Sequence, residues 1–259
     1  MATAVVFLRA TLVIGAGSLF LRSPIAQARR VYRHAFSRGQ LKKELAVAIP
    51  VLLLDAATFT LFRSLGWIQF ADPTPARTVL TFALMFVWFE VWFYATHRAL
   101  HHPKLYFLHA QPHVARVTHP LTALSFGLVE RGLLLVGVLG FAAIASRVVP
   151  FVLPGLAAYL VLNLTLNVLA HLNVELMPAS YGRSWLARLF ISTTFHAMHH
   201  ARFTNHYGLF TTVLDRMFST VWEDYPEVHA RAATRNGLAR LGERVSARED
   251  AASAAELEG

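Results

Sequence analysis

Five stretches of this chain are long and apolar enough to cross a lipid bilayer, and nothing else in the sequence limits its fold so strongly. A spanning helix needs about 20 predominantly apolar residues. The runs are Ala4 to Leu21, Leu45 to about Phe62, Val79 to Thr96, Leu121 to about Ala145, and Val149 to Ala170. The first three carry one charge each (Arg9, Asp55 and Glu90), the fourth carries Glu130 and Arg131, and the fifth carries none. Pro154-Gly155 near the start of the fifth run leaves four or five crossings. The predicted fold is therefore all-α, an integral-membrane bundle of four to five transmembrane helices. Charged residues form 15% of the chain, against roughly a quarter in soluble proteins, which excludes an ordinary soluble domain.

Basic residues in the short connections set the orientation. Seven lie in segment 22–43 (Arg22, Arg29, Arg30, Arg33, Arg38, Lys42 and Lys43), and Arg98, Lys104 and Arg116 follow the third run. Nine arginines lie between Arg183 and Arg248, whereas the opposite turns hold only Arg63, Arg77 and Arg147. Segments 22–43, 97–120 and 171–259 are thus expected on the cytoplasmic side, in a bacterial inner membrane. A signal-peptide reading with cleavage after Ala26-Gln27-Ala28 would invert this, and the charge bias opposes it. The net charge of +9 suits anionic headgroups, and no recognisable motif points to nucleic acid. Residues 1–225 are read as one membrane-embedded domain, and 226–259, rich in Ala, Arg and Glu, as a polar surface helix or loose tail.

Eleven of the 13 histidines fall between His97 and His206, leaving His34 and His229 outside. There is no cysteine, so thiolate metal sites are excluded. His97 and His101 lie four apart at the end of the third run, with His102-Pro103 following. Then come His109 and His113, His119-Pro120, His171 directly after the fifth run, and His196-Ala197-Met198-His199-His200. Spacings of three and four place imidazoles on one helical face, as shared metal ligation requires. Neutral imidazole suits iron, zinc, copper or nickel. So many candidate ligands point to two ions. Apart from Glu175 no acidic residue lies between Glu130 and Asp215, so a site made almost wholly of histidine fits better than a carboxylate-bridged one. Lone histidines such as His119, His206 and His229 more often cap or hydrogen-bond than ligate. A membrane metal transporter would place ligands midway along its helices, and a haem protein would use isolated axial histidines.

The pattern resembles the fatty acid hydroxylase / sterol desaturase superfamily of integral-membrane histidine-box oxygenases, over about Leu80 to Tyr225. His97 to His102 resembles the first box, with His101 or His102 as partner, and His196 to His200 matches the last. Asn205-His206-Tyr207-Gly208 and Asp215-Arg216-Met217-Phe218-Ser219-Thr220 resemble the family's N-Y-G and D-R-x-F-G-T stretches. His171 sits where an additional histidine is expected. The second box departs from the pattern, because Pro112 stands where the first histidine of a pair belongs. The resemblance implies a cytoplasmic histidine-rich helical cap holding two iron ions, with zinc a substitute in the isolated protein. Its ligands would be His97, His101, His102, His109, His113, His171, His196, His199 and His200, with His119 and His206 as substitutes or orienting partners. It implies a lipid (sterol, fatty acid or related) as substrate, dioxygen as co-substrate, and a cytochrome b5-like or ferredoxin-type donor with its reductase. The product would be an alcohol or an alkene. A carotenoid hydroxylase of similar pattern is the nearest rival.

The charged residues inside the apolar runs have two readings. Glu130 cannot face its neighbour Arg131, so it pairs across helices or orients a histidine, with a buried structural pair slightly preferred. The aromatic run from Phe86 to Tyr94 lines a lipid tunnel or anchors the helix at the interface.

Overall fold

A computed structural model describes residues 2–34 and 38–246 of the chain. Five helices are long and apolar enough to cross a membrane: α1 (Ala2–Phe20), α2 (Arg38–Ser64), α3 (Pro75–Leu100), α4 (Leu128–Val148) and α5 (Leu153–Ala170). Helices satisfy their own backbone groups, which hydrocarbon cannot do for them. Their starts follow local chemistry. Thr74 caps α3 by accepting from the Arg77 amide, with Pro75 in the first turn, and a proline likewise opens α5. The fourth run begins later than its hydropathy implies. Residues Pro120–Leu124 form a separate turn, closed when the His119 imidazole accepts from the Leu121 amide, and α4 starts only after Gly127.

Around the bundle the order is α1, α2, α4, α3, α5 and back to α1. Its centre holds Met85, Phe89 and Phe93 of α3, Leu134 and Val138 of α4, and Leu156 and Tyr159 of α5. Gly137 lets α4 close on α3, since a Cβ there would lie 1.9 Å from the Trp92 ring nitrogen. Charges within the helices have polar partners. Arg131 of α4 makes two 2.6 Å bonds to the Asp55 carboxylate of α2, and Arg9 of α1 donates to the Leu160 carbonyl of α5.

One end of the bundle carries a cap built from the α1–α2 connection, the α3–α4 connection and everything after α5. Short bridges pair Arg30 with Val174 and Tyr32 with Leu238. The cap contains α6 (Thr193–Arg202) and α7 (Tyr225–Ala233) around their own core of Tyr32, Phe195, Met198, Val228 and Leu238. The segment from Pro226, expected as a polar tail, is through residue 246 part of this core: Val228, His229, Ala232, Leu238 and Val245 are all buried. Its apolar residues are too widely spaced to raise average hydropathy, yet α7 turns them to one side. The rest of the expected tail, 247–259, lies outside the described residues.

Candidate metal centre

Four segments deliver the histidines to one place beneath the cap. The last turn of α3 projects His97 and, at its end, His101. Pro103 stops the helix, and the chain folds through two tight turns, Tyr106–Leu108 and Pro112–Val114, which bring back His109 and His113. Helix α6 presents His196 and His200 on one face and His199 beside it, while His171 terminates α5.

The result is two adjoining groups. His97, His101, His109, His113 and His199 form one, and His171, His196 and His200 the other; within each, the available ligand atoms lie within 4.8 Å of one another. Nε2 atoms converge at 3.3 Å between His97 and His101, 3.2 Å between His101 and His113, and 3.1 Å between His109 and His113. In the second group the separations are 3.1 Å from His171 to His196 and 3.2 Å from His196 to His200. The groups touch, with the His113 and His200 ring centroids 5.0 Å apart. Among the described residues no carboxylate belongs to either group.

The opposite ring nitrogens explain why these atoms converge. Nδ1 of His97 donates to the Tyr207 carbonyl at 2.7 Å, that of His199 to Asn205 at 2.7 Å, that of His171 to Asn167 at 2.7 Å and that of His200 to Ala115 at 3.1 Å. His109 Nδ1 meets the Glu130 carboxylate at 2.6 Å. A carbonyl oxygen only accepts, so Nδ1 carries the proton and Nε2 keeps its lone pair. Burial, reinforced by neighbouring imidazoles, holds His109, His113, His196, His199 and His200 far below the ordinary histidine range. Burial lowers His171 to about 4 and His101 to about 2. All are neutral at physiological pH.

Where Nδ1 carries the proton, a buried Nε2 lone pair left without a donor is costly unless a cation sits beside it. His199 Nε2 is the clearest case, fully buried and without a hydrogen-bond partner. Imidazole–metal bonds of about 2.0–2.1 Å set neighbouring ligands about 2.9–3.4 Å apart, the spacing seen here. The donor set therefore fits metal, and its all-imidazole composition suits iron, zinc, copper or nickel.

Not every candidate joins. His102 is exposed, and its ring accepts from the Lys104 amide instead. His119 caps the turn at Pro120. His206 is fully bonded elsewhere, donating to the Phe195 carbonyl and accepting from the Trp222 amide. His229 is buried beside Glu175 in the cap, 3.4 Å away, and His34 is exposed. Pro112 is buried at the head of its turn, so the second box supplies only His109 and His113, both to the five-histidine group.

Several supporting residues had no signal of spacing. Glu130 is the orienting partner of His109, where a buried structural pair is the slightly preferred expectation. The Asp215 carboxylate accepts from the amides of Tyr207 and Gly208 at 2.8 and 2.7 Å and from Thr220 Oγ1 at 2.6 Å, fixing the loop whose Tyr207 carbonyl holds His97. Gly208 is required there, since a Cβ would approach the Thr211 carbonyl to 2.3 Å. Glu90 accepts from the Thr211 amide at 2.8 Å and tethers the same loop to α3. The Asn-His-Tyr-Gly and Asp-Arg-x-Phe stretches thus act on the ligands through this loop.

Below the three-histidine group, an apolar cavity of about 520 Å³ runs between α3, α5 and the cap. Phe82, Phe86 and Phe210 line it, together with Ala170 and Thr193, which flank the histidine-bearing segments.

A profile described as fatty acid hydroxylase matches residues 82–220. A very-long-chain aldehyde decarbonylase of Oryza sativa subsp. indica, GL1-6, is 31% identical over 151 residues, covering 55% of this chain and 23% of the relative. Another from the same plant, GL1-1, is 30% identical over 207 residues, covering 75% of this chain and 33% of the relative. GL1-7 of Oryza sativa subsp. japonica is 26% identical over 193 residues, covering 71% and 26%. The chain thus spans about a quarter to a third of the length of these relatives. No solved structure matches it.

Proposed function

Given that the chain belongs to the fatty acid hydroxylase family, we propose that it is a membrane-embedded oxidoreductase that uses dioxygen and two external electrons to hydroxylate or desaturate a lipid. The observation that carries this reading is the convergence of eight neutral imidazoles, five of which have their outer nitrogen fixed by an acceptor. His97, His101, His109, His113 and His199 would hold one iron, and His171, His196 and His200 the other. When bound, the iron pair would supply dioxygen reduction and removal of hydrogen from an unactivated C–H bond.

The chain's own residues supply positioning. The carbonyls of Tyr207, Asn205, Asn167 and Ala115, with Glu130, hold the rings in one tautomer and orientation, so nothing has to reorganise during turnover. The phenylalanine-lined cavity takes an apolar chain and reaches Ala170 and Thr193, next along the chain to His171 and near His196. Arginines on the cap support an acidic electron donor of the cytochrome b5 or ferredoxin kind, and the charge bias supports a cytoplasmic cap.

The test is lipid mass spectrometry on membranes of cells expressing the chain or its His199→Ala variant, with metal analysis of both proteins purified in detergent. The expected result is a lipid gaining oxygen or losing two hydrogens with the unsubstituted chain alone, at equal membrane levels of the two proteins. Alkane formation from an aldehyde, the reaction named for the rice relatives, is scored in the same spectra. Identical lipid profiles from both strains, with iron and zinc below about one ion per chain, would refute the assignment.

A further inference from the structure

The cap carries an apolar surface beyond the ends of the spanning helices. Residues 185–190 and 213–218 lie side by side, joined by the Thr212 amide on the Leu189 carbonyl at 2.9 Å and by Arg216 on the Ala187 carbonyl at 3.0 Å. From this ledge project Trp185 (68% exposed), Leu186, Leu189, Phe190, Met217 (69%) and Phe218. The exposed Arg188 and Arg216 stand among them. Contiguous apolar surface of this kind is rare on a water-facing protein and marks an interaction site.

The ledge continues a surface that already faces lipid. The Phe218 ring stacks on Tyr94 of α3 at 5.7 Å, with the Arg98 guanidinium over Phe218 at 5.3 Å. One and two turns deeper on α3, Val91 and Val87 are exposed on the outside of the bundle. An aromatic and aliphatic face edged by arginine guanidiniums is the chemistry that settles at the headgroup level.

We propose that this ledge lies in the interfacial layer of the bilayer, its apolar side chains among the upper acyl carbons and Arg188 and Arg216 at the phosphates. Its occupant is membrane lipid. Leu186 and Phe190 belong both to the ledge and to the wall of the apolar cavity, so the cavity opens sideways into lipid rather than upward into water. The ledge holds this position whether or not the histidines hold iron.

The chain has no cysteine, so single-cysteine variants report without background. Trp185→Cys and Met217→Cys, each carrying a nitroxide label in the full chain, are reconstituted into phosphatidylcholine–phosphatidylglycerol vesicles. Power-saturation spectra are recorded with oxygen, which partitions into lipid, and with a water-soluble nickel chelate. Val87→Cys on α3 is the lipid reference, and Arg235→Cys, exposed on the C-terminal part of the cap, the water reference. Labels at 185 and 217 are expected to match the Val87 position, with oxygen access exceeding nickel access. Spectra matching the Arg235 position would overturn the proposal. If either substitution prevents insertion, judged by resistance to alkaline extraction, Leu189→Cys reads the same surface.

Discussion

Removing the Glu130 carboxylate tests the orientation of the ligands most directly. Glu130 and His109 are both almost wholly buried, their Oε1–Nδ1 separation is 2.6 Å, and Glu130 Oε2 has no other hydrogen bond. In Glu130→Ala the His109 Nδ1–H loses its acceptor in a site closed to water, and the ring is free to rotate its Nε2 out of the group. Loss of an outer partner of a ligating histidine typically weakens metal binding about 10–100-fold, equivalent to about 1.4–2.7 kcal/mol. The close contact and the absence of water place this case toward the upper end. The assay is metal per chain after equilibration of detergent-purified protein with graded chelator. The variant is expected to lose one of two ions at a 10–100-fold lower chelator concentration, the second ion being retained because His171, His196 and His200 do not touch Glu130. Glu130→Gln, whose carbonyl still accepts, falls between. If Glu130→Ala releases metal at the same chelator concentration as the unsubstituted chain, the carboxylate does not orient a ligand.

Three further outcomes follow from the same coordinates. His101→Ala lowers bound metal whereas His102→Ala leaves it unchanged, read by metal analysis of the purified variants, since only His101 faces His97 and His113. Arg131→Ala strands Asp55 inside the bundle and costs about 3–5 kcal/mol, seen as a lower melting temperature that the double variant with Asp55→Leu largely restores. Acid destabilises the metal-free protein. Burial lowers His171 to about 4 and His206 to about 3, so below the ordinary pKa near 6.5 the unfolded chain binds protons that the folded chain refuses. The melting temperature should be flat above about pH 7 and fall as pH drops from 6.5 toward 4; a rise over that interval would contradict the burial of these rings.

The helices were legible because a bilayer demands long apolar runs, and the histidines because helical spacing and chain order survive in sequence. Other features depended on phase or on distance along the chain. His101 rather than His102 follows from rotation: about 100° per residue returns the fourth position to the face of His97 and carries the fifth past it. The His109–Glu130 contact joins residues 21 apart across a helix boundary, and Asp215 acts on His97 only through the Tyr207 carbonyl. Neither link leaves a periodic trace. Residues 226–246 read as a polar surface helix or loose tail because few of their side chains are apolar, although those few fill the cap.

The acceptors behind the rings also determine how the centre tolerates genetic change. Four of the five are main-chain carbonyls, which no substitution can delete. The residues bearing them, Ala115, Asn167, Asn205 and Tyr207, can drift so long as their backbone path is kept. Glu130 is the one direct acceptor that a single codon can delete, while Asp215 and Gly208 act one step back, through the loop that carries the Tyr207 carbonyl. The ligand array should thus pass through long divergence with shifting neighbours, its drift confined by backbone shape, and substitutions that impair metal retention outside the histidines should concentrate at position 130 and at the loop-fixing positions 208 and 215.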